Sequence, residues 1–241
     1  MALDGPLRDF PIAALYDGQR YLGDRAAITL LTPTLAVTRE VVDAVPQPGL
    51  VMGMSKLANP PLSYVDGEVR RIAKILRVDP HLDKEASLDR LKDWLNGLDS
   101  RAMAQVLHIA AHGSSGGTGD STVVQLWGGD LTGTQLEDQR DLLRHVRLVV
   151  LSACESAVGS ENGVVLGLAG LAQLGTRSVI GSLWKVDDQA TADLMEAFYM
   201  IWTAQPSSGP ARALAAAQAR VRKDYPHPYY WAAFTTIGRW Q

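Results

Sequence analysis

One cysteine, Cys154, stands in 241 residues. A lone thiol excludes an internal disulfide framework, and the chain carries no metal-finger spacing. With no second cysteine, a zinc site is also disfavoured. A reducing compartment suits such a chain. No apolar run reaches the roughly 18 residues that a membrane-spanning helix needs. The stretch Met1–Phe10 has acids and a proline where a secretory signal would be basic and then apolar. Positive charge is not in excess either. The balance of 23 Lys and Arg against 26 Asp and Glu, formally −3, gives no electrostatic reason to expect nucleic acid. No G-x-x-x-x-G-K-S/T or G-x-G-x-x-G pattern follows a strand, so a phosphate cradle is not indicated. Repeats, low-complexity tracts and dividing linkers are missing. The expectation is a soluble, cytoplasmic protein forming one domain over 1–241, with 1–21 a less certain N-terminal extension. No cofactor, metal, nucleic acid or membrane is expected as a partner.

What is present reads as α/β. The chain is 46% hydrophobic and 20% charged, ordinary values for a globular protein with a sizeable core. Leu148-Val149-Val150-Leu151 is an unbroken aliphatic run leading into Ser152-Ala153-Cys154. Such continuity suits a parallel strand buried on both faces. A second run, Val106-Leu107-His108-Ile109-Ala110-Ala111, leads to His112-Gly113. Further strands are expected at Ala26–Leu31, Leu50–Met54, Val123–Trp127 and Ser178–Leu183. The segment Tyr229–Ile237 reads as a strand or core cover. Helices are expected from about residue 33 to Val45, stopped by Pro46-Gln47-Pro48-Gly49, and over about 64–76, where Val65, Val69, Ile72, Ala73 and Leu76 recur at helical spacing. Ser87 is a candidate N-cap for a helix through Leu95 that Asn96-Gly97 ends. Further helices are expected over Leu131–Leu143, Gly163–Leu174, Asp188–Ala204 and Ala211–Lys223. Gly113–Gly119 and Glu155–Asn162 read as loops. Strands alternating with helices imply a mostly parallel sheet with helices packed on it.

In open parallel sheets, ligands bind outside the carboxyl ends of the strands. Cys154 and His112 both stand at such ends, 42 positions apart, so only the fold can bring them together. A thiol near neutral pH is mostly protonated, and a neighbouring imidazole can take its proton and later give one to a leaving amine. The unhindered N–H of Gly113, with that of Cys154, can hold a developing oxyanion. The bland alternatives are an inert buried cysteine and a hydrogen-bonded strand-end histidine. His108 reads as a satisfied core residue; His81, His145 and His227 read as structural or solvated. Asp187 and Asp188 follow the strand Ser178–Leu183, on the same edge if that strand neighbours the cysteine strand. Either carboxylate can pair with a cationic substrate side chain, Arg better than Lys because its fork is bidentate. Either can instead cap the following helix.

Four segments in this order carry a family resemblance: His108-Ile109-Ala110-Ala111-His112-Gly113, Leu148 to Glu155, Gly181-Ser182-Leu183-Trp184-Lys185-Val186-Asp187-Asp188, and His227-Pro228-Tyr229-Tyr230-Trp231-Ala232-Ala233-Phe234. From about Leu22 to the C-terminus the chain resembles a CHAT domain, a peptidase module of the caspase and separase clan. The resemblance implies a caspase-like three-layer sandwich with about six mostly parallel strands. It implies a catalytic dyad of His112 and Cys154, oxyanion donors at the amides of Gly113 and Cys154, and an S1 carboxylate. Separase has a similar Leu-Trp-x-Val-x-Asp segment whose aspartate reads the arginine before the cut, and the matching position is Asp188. The favoured assignment is Asp188 as the specificity determinant and Asp187 as the helix cap.

Two departures stand out. Many members continue the cysteine motif with Glu-Thr-Gly, where this chain has Glu155-Ser156-Ala157. CHAT domains also usually follow helical repeats that sense a trigger. Without such repeats, the expectation is a short stand-alone member or an excised catalytic part, open to a regulatory protein or helical-repeat sensor. The expected function is a cysteine endopeptidase cleaving protein or peptide substrates after Arg or Lys. The alternatives are a catalytically silent CHAT-like interaction module and a non-peptidase thiol hydrolase; the intact dyad favours the first reading. Oligomeric state stays open.

Overall fold

The computed structural model describes residues 10–31, 45–56, 61–98, 102–115, 122–153 and 175–239. In chain order the elements are α1 (Leu22–Arg25), β1 (Thr29–Leu30), β2 (Val45–Gln47), β3 (Leu50–Gly53), α2 (Val65–Leu76), β4 (Pro80–Leu82), α3 (Leu88–Asn96), β5 (Ala102–Ala110), β6 (Gly113–Ser115), β7 (Thr122–Leu126) and β8 (Gly129–Leu131). They continue with α4 (Gly133–Asp138), α5 (Arg140–Leu143), β9 (Val146–Ser152), β10 (Ser178–Ser182), α6 (Asp188–Ala204), α7 (Pro210–Val221), α8 (Pro228–Trp231) and β11 (Phe234–Gly238).

The main sheet runs β1-β11-β10-β9-β5-β3-β4, with β2 paired to the start of β5. Every pair in it is parallel except β10 with β11. Where the sequence implied about six strands, eight described strands form this sheet; β1 falls within the strand expected at Ala26–Leu31, and β2 and β4 are additions of three residues each, too short to show a period. Pro46, read as a helix stop, lies within β2, an outlying strand where a missing N–H costs no ladder bond on its open side. Of the helix expected from about residue 33 to Val45, residues 33–44 lie outside the described residues and Val45 opens β2 instead; the helix expected over 163–174 also lies outside them.

The continuous aliphatic runs are continuous because both faces of the sheet are covered. Val149 and Leu151 pack with Leu107 and Ile109 against α3, α4, α5 and the small sheet of β6, β7 and β8. On the opposite face Leu148 packs with Val150, Val106, Ala110 and Ile180 against α2, α6 and α7. Burying each such side chain stabilises by roughly 1.5–3 kcal/mol. Ser87 caps α3, its hydroxyl accepting from the Arg90 N–H at 3.1 Å. The expected helix over Leu131–Leu143 divides at Gln139 into α4 and α5, and Thr132 and Gln135 close a capping box at its start. Gly113–Ser115, read as loop, is strand β6; Gly-Ser-Ser has no alternating pattern and is ordered by pairing with β7.

Helix α2 rests directly on β3. A Cβ on Gly53 would lie 2.6 Å from Val69 Cγ2 and 2.8 Å from Val65 Cγ1, both on α2. Gly53→Ala therefore forces the helix off the sheet. The expected cost is about 1–3 kcal/mol, read as a lower denaturant midpoint; an unchanged midpoint contradicts the close seating.

Candidate functional site

Strands β5, β9 and β10 are adjacent, parallel and in step. Ala110 pairs with Ser152, and Val150 pairs with Ile180. The Ala111 N–H donates to the Ser152 carbonyl at 3.2 Å, carrying the β5–β9 pairing one residue further. His112 is two residues beyond Ala110 in the chain, and Cys154 two beyond Ser152. The description of that strand end stops at Ala153, so Cys154 and its amide lie outside the described residues, with the loop expected over Glu155–Asn162. Two hydroxyls flank the end of β9. Ser152 is buried, and the Ser182 hydroxyl donates to the Ala153 carbonyl.

His112 is held on its backbone by the Gln125 N–H, which donates to its carbonyl at 2.9 Å. That bond makes His112 and Gln125 a hydrogen-bonded antiparallel pair. The next pair, Gly113 and Val124, is then the non-bonded kind, with the Gly113 N–H turned away from β7. The His112 ring is partly buried, and its Nε2 is shielded from solvent with no hydrogen-bond partner among the described residues. Buried polar atoms are nearly always paired, so an orphaned ring nitrogen calls for a functional explanation.

Asp187 and Asp188 divide their roles. The Asp187 carboxylate accepts from the Ala190 N–H at 2.9 Å and caps α6. Asp188 Oδ2 accepts from the backbone N–H of Tyr64, the N-cap residue of α2, at 2.8 Å. The N-terminal ends of α2 and α6 thus meet at the carboxyl edge of the sheet. Burial raises the Asp188 carboxyl above its ordinary value. The Tyr64 N–H pulls it back, Glu68 and Asp187 push it up, and the His112 ring pulls it down.

A raised folded-state value contributes stability that is complete below the unfolded value of 3.8 and lost as pH rises through the folded value. Asp188→Asn keeps an oxygen for the Tyr64 N–H and removes that loss. Its melting temperature is expected to exceed the parent's at neutral pH, with the gap closing on acidification towards pH 3.8. A gap independent of pH contradicts this.

Behind the edge lies a buried polar group. His108 of β5 is fully buried, its Nε2 3.2 Å from Glu68 Oε1 and its Nδ1 3.2 Å from the Tyr199 hydroxyl. The Glu68 contact is too bent to count as an aligned hydrogen bond. The reading of His108 as a satisfied core residue holds for its burial and its Nδ1, while its Nε2 lacks an aligned hydrogen bond. Tyr64 and Glu68 do not stand out in the sequence as site residues. The signal of Glu68 is a charged residue lying on the apolar stripe of α2, between Val65 and Val69. His227 caps α8, its Nδ1 accepting from the Tyr229 N–H.

A mostly parallel sheet sandwiched by helices, with a histidine closing one central strand and a Ser-Ala-Cys segment closing the next, has the plan of the caspase-like cysteine peptidases. The chain belongs to the CHAT domain family, whose model matches residues 1–239. Among solved structures it is similar to the Arg-specific cysteine proteinase gingipain R, with a TM-score of 0.58 and 14% identity over 80% of this chain and 46% of that one. A complex of the pro- and mature domains of this proteinase from Porphyromonas gingivalis gives 0.57 and 13% over 80% and 47%. The separase of Saccharomyces cerevisiae, bound to securin, gives 0.56 and 15% over 95% of this chain and 14% of that one. The chain thus spans under half of gingipain and about one seventh of separase. No curated protein matches. No helix among the described residues is long and apolar enough to cross a membrane.

Proposed function

We propose that this chain is a cysteine endopeptidase that cleaves protein or peptide substrates after Arg or Lys. The observation that carries the reading is the buried Nε2 of His112, without a hydrogen-bond partner among the described residues, just past the end of β5 and beside the strand that leads to Cys154. In this reading the Cys154 thiol passes its proton to His112 Nε2, and the sulfur attacks the scissile carbonyl carbon. The oxyanion is held by the amides of Gly113 and Cys154. As the C–N bond breaks, the imidazolium returns the proton to the leaving amine. Water, giving a proton to His112, then attacks the thioester; the carboxyl product leaves and the thiol re-forms.

Asp188 supplies the charge for the cationic side chain. Its Oδ2 is engaged by Tyr64, which orients the carboxylate and leaves Oδ1 for the substrate. The Arg specificity named for gingipain R, on the same fold, supports this choice. A regulatory protein or a helical-repeat sensor acting on the domain belongs to the same proposal.

The test is labelling with a peptide that carries an arginine next to an electrophilic ketone. The parent is expected to be labelled, and Cys154→Ala and His112→Ala to remain unlabelled. Labelling by small acyl electrophiles without peptide cleavage would point to a thiol hydrolase instead, and no labelling of the parent to a silent interaction module.

A further inference from the structure

The Glu68–His108–Tyr199 group lies outside the proposed catalytic machinery, yet it joins the elements that carry it. His108 belongs to β5, four residues before His112, which follows the end of that strand. Glu68 belongs to α2 and Tyr199 to α6, and both meet the one imidazole, through opposite ring nitrogens. The Tyr199 ring also meets it edge-on, with centroids 5.5 Å apart. The two helices are tied again at their N-terminal ends, where the Tyr64 N–H grips Asp188 and the Tyr64 hydroxyl donates to Gln189 Oε1 at 3.1 Å. Glu68 is one turn beyond Tyr64. The contacts close a circuit: β5 to α6 through His108 and Tyr199, α6 to α2 through Asp188 and Tyr64, and α2 back to β5 through Glu68 and His108.

Apolar packing holds helices to a sheet as well as a buried polar pair does, and often better. What apolar packing leaves loose is register. The side chains about this circuit include Val69, Ile72, Leu194 and Phe198, whose contacts carry no direction. A hub with one hydrogen bond, to Tyr199, and one close ionic contact, to Glu68, restricts the setting of α2 and α6 along β5.

We infer that Glu68 and His108 are positioning residues: their buried contact, completed by Tyr199, fixes α2 and α6 on β5 and so sets Asp188 at the distance from His112 that a cationic substrate side chain requires. The inference rests on the reading of Asp188 given above.

The test uses binding, so that it does not depend on turnover. In the Cys154→Ala protein, the affinity of a peptide with one arginine is measured by calorimetry. Asp188→Ala is expected to weaken it at least tenfold. The double variant Glu68→Leu/His108→Leu, made in a Tyr199→Phe background so that no buried hydroxyl is left without its partner, is expected to fold with a melting temperature equal to or above the parent's. It is nevertheless expected to bind the peptide about tenfold more weakly. In the protein that keeps Cys154, it should raise KM for an arginyl substrate by a similar factor, with kcat and thiol alkylation by a small reagent within about twofold. Glu68→Gln, which keeps shape and an acceptor for the imidazole, should restore binding to within about twofold. If Asp188→Ala weakens binding and the double variant does not, the positioning role is overturned. If Asp188→Ala itself has no effect, the reading of Asp188 fails and this inference falls with it. Equal losses in kcat and alkylation would show that the group acts on the dyad and also overturn it.

Discussion

Cys154→Ala and His112→Ala are each expected to reduce peptide cleavage to background while leaving the fold intact. Cys154 is the only thiol in the chain, so no second sulfur can substitute for it. His112 follows the end of β5, the strand that neighbours the cysteine strand in step, and its Nε2 has no competing partner among the described residues. Residues that act as a unit lose their effect together. The double variant should therefore fall little below either single one, where independent contributions would multiply. Loss of either member of such a unit costs on the order of 10⁴–10⁶ in kcat. The His112 substitution should cost little stability, because its Nε2 makes no hydrogen bond among the described residues. Kinetics with a fluorogenic arginyl peptide, beside thermal melts of the same preparations, provide the check. Full turnover in either single variant contradicts the mechanism.

Asp188→Ala is expected to lower kcat/KM for arginyl substrates and to leave alkylation of Cys154 by a small reagent nearly unchanged. A fully desolvated charge pair is worth about 2–5 kcal/mol. Asp188 is only partly buried, so solvent screens it and the lower end applies. About 2 kcal/mol corresponds to about a 30-fold loss. Asp187→Ala should behave differently, because its carboxylate is spent on the α6 cap. Its expected cost is about 1 kcal/mol of stability, with kcat/KM close to the parent's. Steady-state kinetics on arginyl and aliphatic substrates separate the two aspartates. An equal loss on both substrate types for Asp188→Ala would remove its role in recognition.

Most of this frame was legible in the sequence wherever one element carries its own signal. The bounds of α6, read as Asp188–Ala204, are the observed ones, because Asp187 caps the helix at one end and Pro206 follows the other. The cap at Ser87 and the apolar stripe of α2 were equally local. The aliphatic runs at 106–111 and 148–151 revealed strands buried on both faces, and their adjacency follows from the fold class. Illegible were the elements whose order comes from neighbours. Pro80–Leu82 is a strand because β3 offers an edge, and Gly113–Ser115 because β7 does. Tyr229–Ile237 divides into α8 and the antiparallel β11, since Pro228 and the His227 cap start a helical turn before the strand. The contact between Glu68 and His108 was illegible for the same reason: 40 residues separate them, and only the seating of α2 on the sheet brings them together.

The central claim is tested most directly by digesting a mixed peptide library with the parent protein and with Cys154→Ala, and reading the new termini by mass spectrometry. The account predicts cleavage after Arg and Lys by the parent and none by the variant. Cleavage after acidic or aliphatic residues, no cleavage by the parent, or equal cleavage by the variant would contradict it.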